Sequence, residues 1–149
     1  MCENKTSILF LCTGNSCRSQ MAEGWARALG GDSVRVHSAG IEAHGKNPRA
    51  IAVMAEVGVD ISRQQSTRLE PKMLEEVDWV VTVCGHADAH CPSLPAGISR
   101  LHWPLDDPAR ATGSEEDIMA VFRACRDEIR ARVQVLLDDL AQPPAQADE

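Results

Sequence analysis

Aromatic side chains are scarce in this sequence: tyrosine is absent, and the 149 residues include two phenylalanines and three tryptophans. A pocket that recognises an aromatic ring usually stacks it against aromatic walls, so this composition argues against such a pocket. An excess of positive charge is also missing, because 15 lysines and arginines against 22 aspartates and glutamates give a net charge of −7. An acidic chain does not attract polyanions at long range, which argues against nucleic acid as a partner.

Long apolar segments are missing as well. Residues 1–6 lead into an apolar run of only about six positions, whereas a membrane span needs about 20. We therefore expect a cytoplasmic protein that does not contact a membrane. The length and the hydrophobic fraction of 44% predict one domain over residues 1–141. The proline- and alanine-rich segment 142–149 is predicted to be a disordered tail.

Segments with strand-like and helix-like periods alternate along the chain. Strands are predicted at residues 5–11, 34–37, 78–83 and 99–103, and helices at residues 19–29, 48–57 and 71–74 and from residue 115 onward. This alternation is typical of parallel sheets with right-handed crossovers. The predicted fold class is α/β, a single-domain open sheet of about four parallel strands flanked by helices.

Two helices carry apolar faces that predict their packing. The helix that begins at Asn47-Pro48 is expected to turn four residues toward the core: Ala50, Ile51, Met54 and Val57. The last helix is expected to be capped by Ser114. Its predicted apolar stripe consists of Ile118, Val121, Phe122, Cys125, Ile129, Val133, Leu136, Leu137 and Leu140.

The segment Cys-Thr-Gly-Asn-Ser-Cys-Arg-Ser occupies residues 12–19, between the first predicted strand and the first predicted helix. Such a loop can turn its backbone N–H groups inward, and the helix adds the positive end of its dipole. Arg18 can hold two oxygens of a tetrahedral anion with its planar guanidinium. The same positive surroundings favour the thiolate form of Cys12. The segment therefore predicts attack by the Cys12 sulfur on the central atom of a phosphate-like oxyanion.

The predicted topology brings other polar residues to this loop. Ligands of parallel sheets bind at the carboxyl ends of the strands, where Cys12, Cys84 and the segment after Trp103 all lie. That last segment contains Asp106 and Asp107, and a carboxylic acid there could protonate a departing oxygen. Because Asp-Pro also favours ordinary turns, a purely structural role stays open.

Six cysteines in a reducing compartment favour catalytic, redox or metal-binding roles over structural disulfides. In a helix, Cys84 and Cys91 would lie about 10.5 Å apart, farther than the roughly 4.4–6.8 Å between Cα atoms that a disulfide allows. A Cys84–Cys91 bond would then require that segment to unwind, as in a redox switch. The alternatives are a zinc site that includes His86 and His90, and a Cys84 that is buried and inert.

The remaining cysteines are predicted to have no chemical role. Cys17 is expected to pack behind the loop, Cys125 to pack in the core, and Cys2 to be exposed at the terminus.

Taken together, these motifs resemble a known family. Cys12-x5-Arg18-Ser19, followed late in the chain by Asp107-Pro108, resembles the low-molecular-weight protein tyrosine phosphatases. Residues 12–24 are more similar still to the thioredoxin-coupled arsenate reductases of the same fold. The resemblance extends over nearly the whole chain apart from the tail, and further segments agree with it: residues 38–42, residues 81–84 with Cys91-Pro92, and residues 106–109.

The resemblance implies a role for each residue of the loop. Cys12 is the nucleophile, Ser19 donates a hydrogen bond to it, and Asp107 is the general acid. The oxyanion is held by the Arg18 side chain and by the backbone N–H groups of Thr13, Gly14, Asn15, Ser16, Cys17 and Arg18.

A disulfide relay is implied as well. Cys12 attacks arsenate, Cys84 then attacks the Cys12 sulfur so that arsenite leaves, and Cys91 attacks Cys84. Thioredoxin reduces the resulting Cys84–Cys91 bond by thiol exchange. The resemblance thus implies a monomer without organic cofactor or metal, with a phosphate-like oxyanion as ligand, thioredoxin as partner and weak phosphatase activity.

Two other functions stay open at this point. A phosphatase acting on phosphotyrosine or small phosphate esters would use the same loop but not the paired cysteines. A metal or redox sensor built on residues 84–91 would leave Cys12 and Arg18 unexplained.

Some members of the family bind potassium through residues that match Asn15, Glu23 and Ser38. An aspartate of that set is replaced here, near Ser66-Thr67, which argues against a potassium site.

Overall fold

Four parallel strands form the centre of the molecule. The computed structural model describes residues 6–14, 17–84 and 97–141. Its strands are β1 (Thr6–Cys12), β2 (Val34–Gly40), β3 (Trp79–Thr82) and β4 (Ser99–His102), in the order β2-β1-β3-β4. Every neighbouring pair is parallel, so the predicted α/β sheet is confirmed. The domain limits and the tail stay predictions, because residues 142–149 lie outside the described part.

In the part of the chain that the structure describes, three helices flank the sheet: α1 (Arg18–Gly30), α2 (Pro48–Glu56) and α3 (Glu115–Ala141). The short helix predicted at residues 71–74 is a 3-10 turn, Pro71–Glu76. The predicted start signals act as expected, since the Asn47 side chain accepts bonds from the first turn of α2 and Ser114 Oγ accepts one from the Asp117 N–H. None of the described helices has both the length and the apolar character needed to cross a bilayer.

Strand β2 is longer than the sequence predicts. Its expected end is residue 37, but pairing with β1 continues to Gly40, which lies opposite Cys12. Residues 38–40 are serine, alanine and glycine, all buried, and such small residues add little to an alternating hydrophobic pattern. The extension carries β2 alongside β1 as far as the nucleophile.

Two residues predicted to face the core do not. Val57 is 41% exposed because α2 ends at Glu56 and Val57 is already its C-cap; Val53 is the buried residue instead. Val121 is 43% exposed. It precedes the buried Phe122 by one position, so its side chain is rotated by about 100° around the helix axis from that of Phe122. The buried stripe of α3 consists of Phe122, Arg126, Ile129, Val133 and Leu136.

Arg126 was not expected on that stripe. The residue is 8% exposed, and its guanidinium donates to the Val53 carbonyl of α2 and to the Glu56 carboxylate, both at 3.0 Å. Its own carbonyl accepts a bond from the Trp25 indole of α1 at 3.1 Å. These bonds satisfy the buried cation and tie the three helices together.

The strand order decides which segments meet. β1 lies between β2 and β3, and β3 also pairs with β4. Pairing continues just past the strand ends, where Val83 donates to Leu11 at 2.9 Å and Trp103 donates to Thr82 at 2.8 Å. Cys12, Cys84 and the segment after Trp103 therefore lie at one edge of the sheet, as the sequence predicts.

Candidate active site

The first turn of the predicted oxyanion loop is held by backbone bonds from the segment after β2. Ile41 donates to the Cys12 carbonyl at 3.0 Å, and Glu42 donates to the Thr13 carbonyl at 2.8 Å. His44 donates to the Gly14 carbonyl at 2.9 Å. In a planar trans peptide the N–H points opposite to the preceding carbonyl, so the Thr13 and Gly14 N–H groups point away from this segment. The pairing thus leaves these donors available for an anion.

Cys12 lies at the end of β1 beside the first turn of α1. Its side chain is 3% exposed, and its sulfur lies 2.8 Å from the hydroxyl oxygen of the fully buried Ser19. This is the contact that the family resemblance implies. α1 begins at Arg18, so the positive end of its dipole also lies near this thiol.

Arg18 joins the loop to the segment that follows β4. It is 8% exposed, its Nη1 donates to the Leu105 carbonyl at 2.9 Å, and its Nη2 lies 3.7 Å from Asp107 Oδ2. Within the described part of the chain, Arg18 Nε is buried without a hydrogen-bond partner. Leaving a buried guanidinium donor unsatisfied is costly. An incoming anion would supply the missing acceptor.

Asp107 is at the predicted place for a general acid. Its Oδ1 accepts a bond from the Ala109 N–H at 2.9 Å, and its side chain is 34% exposed. The carboxyl group is thus anchored through one oxygen, while the other faces the Arg18 guanidinium.

A second thiol contacts the loop. Cys84 is 5% exposed, and its sulfur lies 3.2 Å from Thr13 Oγ1. The sequence predicts that Cys12 and Cys84 lie at the same edge of the sheet. For Thr13 it predicts a role for the backbone N–H but none for the side chain. The side-chain contact depends on β1 and β3 being neighbours, which no local pattern indicates.

Comparison with known proteins agrees with this geometry. The family model described as low molecular weight phosphotyrosine protein phosphatase matches residues 7–145. The chain belongs to this family.

Relatives within the phosphatase family include arsenate reductases. The arsenate reductase of Bacillus subtilis strain 168 is 56% identical over 132 residues, which are 89% of this chain and 94% of that protein. A solved structure of an arsenate reductase in the phosphate binding state is 36% identical, with a TM-score of 0.75 over 91% of this chain and 99% of that chain. A thioredoxin-dependent arsenate reductase of Corynebacterium glutamicum is 26% identical, with a TM-score of 0.66, and covers 91% of this chain and 65% of that chain.

Several predicted site residues of this family member lie outside the described residues: Asn15, Ser16, His86, His90 and Cys91. Their roles stay predictions. Among the residues that the structure describes, no group of three or more histidine, cysteine and acidic side chains is placed to hold a metal ion. This does not test the zinc alternative, because only one of its ligands, Cys84, is described.

Two residues matched to the potassium set, Glu23 and Ser38, bond to each other. Glu23 is 6% exposed, and its Oε1 accepts a bond from Ser38 Oγ at 2.6 Å. Its Oε2 accepts two bonds from Arg27, at 2.9 and 2.6 Å, so a guanidinium already balances the charge of this carboxylate. The absence of a potassium site stays a prediction, because Asn15 lies outside the described residues.

Cys17 is buried and Cys125 packs against the core, as predicted. Cys17 is 3% exposed, and Cys125 is half-buried on α3 with a free thiol. Burial raises the pKa of Cys125 to about 12, although the positive charge of Arg18 opposes the shift. This thiol is therefore protonated at neutral pH.

We expect Cys125 to resist alkylation. At pH 8 its reaction with iodoacetamide should be at least about a hundredfold slower than that of a free cysteine, because only thiolate reacts. Peptide mapping by mass spectrometry after timed quenching measures the rate, and the same protein in urea is the control, in which Cys125 should react at the free-thiol rate. Equal rates in the folded and unfolded protein would contradict this prediction.

Sequence reasoning missed three residues around the loop: His44, Ser66 and Leu105. Ser66 Oγ donates to the Gly14 carbonyl at 3.4 Å and accepts from the Gly45 N–H at 3.0 Å. Leu105 contributes only its carbonyl, to Arg18. Contacts to backbone atoms carry no residue-type signal in the sequence, so only the folded chain reveals them.

Proposed function

We propose that this protein reduces arsenate to arsenite through a relay of Cys12, Cys84 and Cys91, and that thioredoxin restores the reduced enzyme. The main support for this proposal is the contact between Cys84 Sγ and Thr13 Oγ1, which lie 3.2 Å apart. A second buried thiol in contact with the oxyanion loop has no use in ester hydrolysis, but it is required for electron transfer through sulfur. The similarity to arsenate reductases supports the same choice.

The cycle begins with oxyanion binding. The backbone N–H groups of residues 13–18 and the Arg18 guanidinium hold the arsenate oxygens. The Cys12 thiolate, beside Ser19 and the start of α1, attacks arsenic and forms an S–As bond. Asp107 donates a proton to the leaving oxygen, which departs as water.

In the second step electrons move from sulfur to arsenic. The Cys84 thiolate attacks the Cys12 sulfur, an S–S bond forms, and the S–As bond breaks. The bonding pair stays on arsenic, so As(V) becomes As(III) and arsenite leaves. Thr13 holds Cys84 at the loop for this attack.

The last steps restore the nucleophile. Cys91 attacks the Cys84 sulfur, which frees Cys12 and leaves a Cys84–Cys91 disulfide. The dithiol of thioredoxin reduces this bond and becomes oxidised itself. A monomer without an organic cofactor or metal suffices, because the protein's own sulfurs carry both electrons.

A phosphatase is the second candidate, and it is favoured by the same loop and acid. Cys12 would attack a phosphate ester, Asp107 would protonate the leaving alcohol, and water would hydrolyse the thiophosphate. We propose this as a weak side activity, since the chain contains no tyrosine and few other aromatic residues with which to bind a phosphotyrosine ring.

Arsenate-dependent NADPH oxidation in the presence of thioredoxin and thioredoxin reductase tests the main proposal. We expect sustained turnover with thioredoxin and little with a glutaredoxin and glutathione control. Hydrolysis of p-nitrophenyl phosphate measures the second candidate in the same preparation. Ester hydrolysis without any arsenate-dependent oxidation would overturn the reductase proposal in favour of the phosphatase.

A further inference from the structure

The histidine after β2 lies against a glycine of the oxyanion loop. If Gly14 carried a Cβ atom, that atom would lie 2.4 Å from His44 Nδ1 and 3.0 Å from His44 Cγ. Gly14 does not have the left-handed backbone that would itself favour glycine. An alanine at this position would therefore force the His44 imidazole to move.

We propose that His44 is a positioning residue for oxyanion binding, whose imidazole, held by Glu42, packs on Gly14 and fixes the direction of the loop N–H groups. The proposal rests on the oxyanion loop of the proposed function, but not on its disulfide relay.

Two groups of His44 act on Gly14 from one side. Its backbone N–H donates to the Gly14 carbonyl at 2.9 Å, and its ring covers the Gly14 Cα. A carbonyl and the N–H that follows it form one rigid planar unit, so holding the Gly14 carbonyl and Cα limits how the loop backbone can turn. An N–H group that is misdirected by a few tenths of an ångström binds a tetrahedral anion less well.

The ring itself is held in place. Glu42 Oε1 lies 2.6 Å from His44 Nε2, and Glu42 is anchored through its own N–H to the Thr13 carbonyl at 2.8 Å. The His44 and Glu42 side chains are 53% and 65% exposed, so neither is needed to fill the core. A partly exposed pair that contacts a binding loop is expected to affect ligand affinity more than stability.

Phosphate protection of Cys12 tests the proposal without any turnover. The rate of Cys12 alkylation by iodoacetamide, an uncharged reagent, is measured against inorganic phosphate concentration for the wild-type protein, H44A, H44Q and H37A. His37 is the matched control, because it is an exposed histidine on β2 away from the loop. Thermal unfolding of each variant establishes that it is folded.

We expect H44A to need about tenfold more phosphate for half-protection, about 1.4 kcal/mol, while its alkylation rate without phosphate changes less than about twofold. H44Q keeps a planar hydrogen-bonding group and should recover to within about threefold. H37A should match the wild-type protein. Under the same logic, H44A should raise the KM for arsenate and leave kcat nearly unchanged.

A double-mutant cycle with G14A tests the packing directly. We expect G14A to weaken protection by phosphate strongly in the wild-type background and much less in the H44A background, because the clash with the ring is then gone. Equal effects of G14A in both backgrounds, or an H44A curve that superimposes on that of H37A, would overturn the role of His44. If phosphate does not protect even the wild-type protein, the oxyanion loop itself is wrong, which is a failure of the proposed function.

Discussion

Replacing Cys12 with serine should abolish both arsenate reduction and ester hydrolysis, each by at least about a thousandfold. The sulfur is the atom that bonds to arsenic or phosphorus in both reactions, and a serine hydroxyl is not ionised at neutral pH. The neighbouring Ser19 hydroxyl, 2.8 Å away, cannot replace it, because it lacks the geometry of attack and the redox chemistry of sulfur. Coupled NADPH oxidation and p-nitrophenyl phosphate hydrolysis measure the two losses.

C125A is the matched control for this experiment. Cys125 is a free thiol on α3, but its raised pKa keeps it protonated and the proposed cycle does not use it. We expect C125A to retain both activities at near wild-type rates. If C12S kept either activity, Cys12 would not be the nucleophile.

Removing the second and third thiols should separate the reductase from the phosphatase. C84S should produce no arsenite, because the thiol that attacks the Cys12 sulfur in the proposed relay is missing, yet it should still hydrolyse p-nitrophenyl phosphate. C91S should release one equivalent of arsenite per enzyme and then stop, at least about a hundredfold below wild-type turnover with thioredoxin. Single-turnover arsenite measurement and disulfide mapping by mass spectrometry distinguish these outcomes.

The stalled C91S enzyme should contain a disulfide between Cys12 and Cys84. C125A is again the control, with normal multiple turnover and no such trapped disulfide. If C91S cycled normally with thioredoxin, the relay through Cys91 would be wrong. If C84S still released arsenite, the contact between Thr13 and Cys84 would have no part in electron transfer.

The two experiments probe different parts of the molecule. The Cys12 variant tests the loop, which local sequence describes almost completely. The Cys84 and Cys91 variants test whether the second thiol at the sheet edge acts on the first, and this depends on the order of the strands. Together they distinguish an arsenate reductase from a phosphatase that merely carries additional cysteines.

The sequence alone determined the features that depend on neighbours in the chain. Strand and helix periods, the Asn47 and Ser114 caps and the nucleophile-to-arginine spacing of residues 12–18 are local patterns, and the structure contains the strands, helices and caps close to where these patterns place them. The expected meeting of Cys12, Cys84 and the segment after Trp103 was also predictable, because parallel strands share the direction of their carboxyl ends.

Tertiary structure decided the features that depend on residues far apart in sequence. The contact of Thr13 with Cys84 joins positions 71 residues apart, and the outward direction of Val57 and Val121 depends on where α2 ends and how α3 is rotated. The sequence assigns Gly14 only a backbone N–H in the loop, whereas in the folded chain the His44 ring occupies the space beside its Cα. Local periodicity carries no information on strand order, helix rotation or which side chain reaches a given backbone atom, since these are fixed only when the whole chain packs.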